Sequence, residues 1–243
     1  MKWLDDMQRK RAEKALQKNI KKVSNPFASS DGRYAAIDAL REMGTSEAIQ
    51  GIMHRFNFTA QQTMVDAEEK EYAVKAVLHF GERAVDSIKG YLRICTYPSW
   101  PVKLLRELTS EEVVLDSLLD LLDEEDTAFR RAAEEKTLEV LKHVEEFRDT
   151  RIVDKALAYL DHSSDDIRLA ALKLLEANAD DRVRDAMLDL LDDDEAPRLR
   201  VAAADVFARM EWRTHGRAKG LREKLPEGFL MTKDGVIKRV GRA

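Results

Sequence analysis

Five stretches of the chain open alike: Arg33-Tyr-Ala-Ala-Ile-Asp-Ala-Leu, Lys70-Glu-Tyr-Ala-Val-Lys-Ala-Val, Arg130-Arg-Ala-Ala-Glu, Arg168-Leu-Ala-Ala-Leu-Lys-Leu-Leu and Arg200-Val-Ala-Ala-Ala-Asp-Val-Phe. Successive starts lie 37, 38 and 32 residues apart, and the 60 residues between positions 70 and 130 leave room for one degenerate copy. A period of this length belongs to stacked helix pairs, because each unit can bury its apolar stripe only against its neighbours. The second half of the unit recurs as well. Residues 151–161 lie over 182–192, with Ile152 over Val183, Ala156 over Met187 and Leu160 over Leu191. Spacings of three, four and seven put these positions on one helix face. Val114, Leu118, Leu121 and Leu122 reproduce that face, as do Ile49, Ile52, Met53 and Phe56.

The spacing predicts six helix pairs, over residues 30–58, 66–94, 98–122, 126–160, 163–191 and 195–222. Side chains that accept from orphan amides mark the helix starts: Ser30-Asp31, Thr45-Ser46, Thr109-Ser110 and Ser163-Ser164. Gly44 and Gly81 sit where the first helix of a pair must turn. Pro98 and Pro101 shorten the first helix of the third pair. The fourth pair is expected to begin with an elongated helix, since no breaker stands between Phe129 and Phe147. A chain with 36% charged and 44% apolar residues suits such an architecture, whose high surface-to-volume ratio keeps helices amphipathic throughout.

The pattern Asp-Asp-x-x-Arg-x-Ala-Ala-x-x-x-Leu, a short turn, then a Leu-rich helix ending in Leu-Asp, is clearest from Asp165 to Asp192. It resembles the short bacterial HEAT repeats first noted in phycobilisome lyases. The resemblance implies an all-α fold: an α-solenoid of about six HEAT-like helix pairs over residues 30–222. A basic capping helix is expected over 1–25, and a basic C-terminal hairpin and tail over 226–243. The Trp, Leu-Gly and Tyr positions of tetratricopeptide repeats are absent. After Pro226 the alternation around Asp234-Gly235 reads as a β-hairpin.

Charge is unevenly spread. Residues 1–23 hold eight Lys or Arg against three acids, net +5, and residues 213–243 hold nine against three, net +6. With −5 overall, the remaining residues 24–212 carry −16. In the first segment Ala12, Leu16, Ile20 and Val23 share one helix face, with Lys10, Lys14, Lys18 and Lys21 opposite. Covering the exposed ends of a repeat stack accounts for both basic segments.

The residues that carry chemistry are sparse. The single cysteine, Cys95, excludes an intramolecular disulfide and a cysteine-ligated metal cluster. Acids at positions 5 and 6 argue against a secretory leader, and no segment holds the roughly 20 apolar residues that span a bilayer, so the expected compartment is the cytoplasm. HEAT-type deoxyhypusine hydroxylases hold a di-iron centre with His-Glu dipeptides; none of His54, His79, His143, His162 or His215 is followed by Glu. Neither a metal nor another cofactor is expected. HEAT-like alkylpurine DNA glycosylases use a basic, aromatic-lined groove, whereas these central repeats are acidic and would repel phosphate.

Two columns of charge repeat with the units. Arg33, Arg130, Arg168 and Arg200 stand just inside first helices, and Asp123, Asp161 and Asp192 lie seven or eight residues upstream of the last three, close enough for a structural ladder. Asp116, Asp154 and Asp185 share one position in successive second helices. The resemblance places second helices on the concave face, which makes these aspartates the candidate partner-binding residues. The expected function is a non-enzymatic scaffold that binds another, basic protein there. The alternative is binding of nucleic acid or another anionic surface through the basic termini.

Overall fold

The computed structural model describes residues 2–123, 130–178, 181–193, 196–214 and 216–240. In chain order the elements are α1 (Lys2–Val23), α2 (Ser30–Met43), α3 (Ser46–Met53), α4 (Thr63–Leu78), α5 (Val85–Ile94), α6 (Ser99–Leu108), α7 (Glu111–Asp123), α8 (Arg130–Val144), α9 (Thr150–Tyr159), α10 (Asp165–Ala177), α11 (Asp181–Asp193), α12 (Pro197–Met210) and α13 (Ala218–Lys224), then strands β1 (Phe229–Met231) and β2 (Ile237–Arg239). Among the described residues the chain is all-α apart from this one two-stranded sheet. It divides into two compact units, Met1–Leu121 and Leu122–Ala243. No helix among the described residues is long and apolar enough to cross a membrane.

Local chemistry sets the helix bounds. The Ser29 hydroxyl accepts from the Gly32 amide and Thr45 from the Ala48 amide, which caps α2 and α3. Gly44 ends α2 in the left-handed conformation at φ 60° and donates its amide to the Leu40 carbonyl, a geometry that a Cβ would strain. α6 is short, ten residues, with Pro98 at its N-cap and Pro101 in its first turn. The start of the elongated first helix expected in the fourth pair lies outside the described residues, and α8 has 15 residues among those described. It stops at Val144 although no glycine or proline stands there.

In the first unit α1 packs on α2 and α3, α2 on α4, α3 on α5, and α6 on both α4 and α5. The repeated motif explains the contact. Counting from Arg33, Lys70, Arg168 and Arg200, the residue three further on is always a buried alanine: Ala36, Ala73, Ala171 and Ala203. Seven further on lie Leu40, Val77, Leu175 and Phe207, all fully buried. The small residue lets helices approach closely and the large one fills the next turn. A tyrosine repeats too: Tyr91 donates to the Met53 carbonyl 38 residues back, and Tyr159 to the Leu122 carbonyl 37 residues back.

In the second unit α8 packs on α10, α10 on α12, α9 on α10 and α11, and α11 on α12 and α13. The hairpin closes this unit. Thr232 and Val236 pair across a turn in which Gly235 has φ 77°, and Met231 faces Ile237 in antiparallel register. Ile237 is fully buried and β2 packs on α12, while the Gly235 carbonyl accepts from the Thr214 amide.

Candidate functional site

The three candidate partner-binding aspartates fall in different settings. Asp116, on α7, is half-buried and belongs to the first unit; Asp154 on α9 and Asp185 on α11 belong to the second and are each 69% exposed. Each of the latter two has a cation beside it. Arg182 donates to Asp154 at 2.5 Å, and the Arg184 guanidinium stands 3.5 Å from Asp185. One turn along α11, the exposed Asp189 accepts from Arg217 at 2.6 Å. Between α9 and α11 a cleft of about 340 Å³ is lined by Leu157, Leu160, Ala186 and Leu190, with Asp161 and Asp189 among its polar lining residues. Arg168 also lines the cleft, so its polar lining sets two exposed carboxylates beside one guanidinium.

The ladder residues are also partly described. The side chain of Arg130 lies outside the described residues. Arg168 does reach back eight residues, but its Nε donates to the Leu160 carbonyl at 2.6 Å, and Asp161 has no ion pair among the described residues. Arg33 does the same, donating to the Asn25 carbonyl eight residues upstream at 3.3 Å, and to that of Ala28. Arg168 therefore caps the carbonyl end of α9, whereas Arg33 ties down the turn between α1 and α2. Arg200 donates to the Lys224 carbonyl.

Carboxylates of the expected ladder take partners from further along the chain. Asp123 pairs with Lys155, and Asp192 with Lys224 at 2.5 Å and Arg217 at 3.1 Å. Asp166 with Arg198 and Glu176 with Arg209 follow the same rule. In every case an acid reaches a base 25 to 33 residues later, in a following helix pair. The rungs are exposed, so each is worth under about 1 kcal/mol.

The densest concentration of charge is in the first unit and is buried. Glu69, in the first two turns of α4, is fully buried and accepts from Ser30 Oγ at 2.6 Å, Arg33 Nε and Nη2 at 2.8 and 2.7 Å, and Arg55 Nε at 2.6 Å. Arg55, 0% exposed, also donates to Asp66 at 2.7 Å and to the Phe58 carbonyl, with its guanidinium 4.3 Å from the Phe58 ring centroid. Asp66 in turn accepts from the Ala60 amide at 2.8 Å and pairs with Lys70 at 2.7 Å. Burial alone would raise both carboxyls. The hydrogen bonds from Lys70, Ala60 and Arg55 outweigh it and hold Asp66 at about 2, and those from Arg33, Ser30 and Arg55 hold Glu69 below its usual range. Such carboxylates are saturated with donors and too weakly basic to move protons near neutrality. The cluster joins α2, α4 and the turn after α3; sequence reasoning missed Arg55, Asp66 and Glu69. The one available signal was Arg33, which has no acid seven or eight residues upstream.

The histidines stand apart from this cluster. His54 is half-buried against Tyr91, ring centroids 5.4 Å apart, and burial pushes its pKa down. His143 has Glu146 at 3.9 Å. Among the described residues no group of three or more His, Cys, Asp or Glu is placed to hold a metal ion. His215 lies outside the described residues. Comparison with family models, with curated proteins and with solved structures finds no match for the chain.

Proposed function

We propose that the chain is a cytoplasmic α-solenoid of HEAT-like helix pairs that acts as a non-enzymatic scaffold, holding a basic protein against the faces of its second helices. The observation that carries this reading is the cleft between α9 and α11. It is lined by the exposed Asp161 and Asp189 and the half-buried Leu157 over the buried Leu160 and Leu190, with Asp154 and Asp185 on the same two helices. Within each unit the packing of α1 to α4 and of α8 to α11 on the helix two places further along supports the repeat reading, as do the tyrosine and ion-pair contacts that recur at nearly the repeat spacing. The saturated carboxylates of the buried cluster support a holding role over a chemical one.

The test is affinity capture with the parent protein and with Asp116→Lys/Asp154→Lys/Asp185→Lys, followed by binding measurements on the purified partner. At the exposed Asp154 and Asp185 reversal costs under about 0.5 kcal/mol each, and circular dichroism of the variant checks that the half-buried Asp116 also tolerates lysine. Binding should be lost on reversal and should weaken with salt. A partner retained equally by both proteins at low and high salt counts against the acidic second-helix face.

A further inference from the structure

α1 carries a feature that its packing does not use. At 100° per residue, Lys10, Arg11, Lys14, Lys18, Lys21 and Lys22 fall within an arc of about 120°, and the stripe runs for about 18 Å along the helix. All six are exposed, and among the described residues none has an ion pair. The second unit, by contrast, matches base to acid rung by rung. Lys10, Lys14, Lys18 and Lys22 recur every four residues, which stacks like charges and destabilises an isolated helix. Leu16, Ile20 and Val23 lie on the opposite side, where α1 packs on α2 and α3; Val23 is fully buried and Ile20 lies over Gly51. Capping therefore accounts for one face of α1, and Lys21 and Lys22 suit the carboxyl end of the helix, with the Lys22 stem over Gly32; Lys10, Arg11, Lys14 and Lys18 are left without a role in the packing. Towards the N-terminus the helix stands clear, with residues 8–14 exposed on every side and Trp3 71% exposed.

We infer that this stripe docks duplex DNA, with α1 entering the major groove; the inference is independent of the scaffold reading. The partner must be a dense polyanion. B-form DNA presents one charge per roughly 1.7 Å of axis, so the stripe faces about ten phosphates. Shape decides between DNA and a membrane. Cations spread over a third of a helix circumference line the walls of a concave groove about 12 Å wide, which admits an α-helix, whereas a flat bilayer meets only the crest. A membrane-surface helix also needs a free apolar face, and Leu16, Ile20 and Val23 are turned onto α2 and α3, which leaves Trp3 at the free end rather than a continuous apolar stripe. The acids Asp6 and Glu13 lie at the flank of the packed face, outside the stripe.

The experiment is fluorescence anisotropy of the full chain with a labelled 20-base-pair duplex between 50 and 200 mM salt. Six phosphate contacts predict that log K falls against log salt with a slope of about −5. Lys10→Gln/Lys14→Gln/Lys18→Gln should reduce that slope by about three and weaken binding more than tenfold, while Lys→Arg at the same positions should retain binding. Glutamine and arginine are good helix formers, and circular dichroism of both variants should match the parent. Duplex DNA that fails to bind at 50 mM salt, or that binds the glutamine variant with the parent's affinity and slope, overturns the inference. Single strands of equal length, or phosphatidylserine vesicles, binding as tightly as the duplex would overturn it too.

Discussion

Replacing Glu69 by alanine should be among the most damaging single changes in the first unit. Its carboxylate takes two hydrogen bonds from Arg33, one from Arg55 and one from Ser30, and both guanidiniums are buried. Removing it leaves Arg55 with the Asp66 carboxylate and the Phe58 carbonyl, and Arg33 with backbone carbonyls and no counter-ion among the described residues. Breaking a buried pair in this way costs about 3 to 5 kcal/mol, because the remaining charge stays desolvated without its counter-ion. With a urea slope of about 2 kcal/mol/M, the midpoint should fall by roughly 2 M. Trp100 reports on the event locally, since it stacks on Phe56, the neighbour of Arg55, at 5.1 Å between ring centroids. Arg182→Ala, which breaks an exposed pair, is the control and should cost under about 1 kcal/mol. A loss from Glu69→Ala no larger than the control would refute the argument that the cluster holds α2, α4 and the turn after α3 together. The same cluster sets an acid limit. Asp66 titrates at about 2 when folded against 3.8 in the unfolded chain, so its contribution is fully present above about pH 4 and is lost as pH falls through about 2. That amounts to about 2 kcal/mol, and Asp66→Asn should flatten this part of the acid-unfolding curve.

Two further substitutions probe the second unit, with Trp212 fluorescence as the readout. Arg168→Ala removes the donor to the Leu160 carbonyl and should cost about 1 to 3 kcal/mol, which lysine, without the planar fork, should not restore; an unchanged midpoint would show that the cap contributes nothing. Ile237→Ala empties a fully buried position against α12 and should cost about 2 to 5 kcal/mol. Amide exchange in the hairpin should then rise before exchange in α10, and uniform protection would show that the hairpin is not a separate closing element.

The helices were legible because their determinants are local and repeated. Ala36, Ala73, Ala171 and Ala203 recur at one place in the motif, and Gly44 and Asp234-Gly235 punctuate the chain where a helix and a hairpin must turn. Such signals act over one or two turns, so a linear reading contains them. α8 ends at Val144, short of Phe147, because the absence of a breaker permits a helix to continue without requiring it. The candidate site was legible only as a charge pattern: periodicity put Asp116, Asp154 and Asp185 at one repeat position, yet it did not show the cations beside Asp154 and Asp185.

What only the tertiary structure decided is which partner each charge takes. Eight residues before Arg168 stands the Leu160 carbonyl and seven before it the Asp161 carboxylate, and the sequence spacing admits both. The direction in which the guanidinium leaves α10 selects the carbonyl. Glu69 meets Arg33 across 36 residues and Arg55 across 14, a convergence that depends on how α2 and α4 lie against each other. Helix periodicity fixes which face a residue occupies. Coulomb and hydrogen-bond energies change over a few tenths of an ångström, and only the packed structure sets distances that finely.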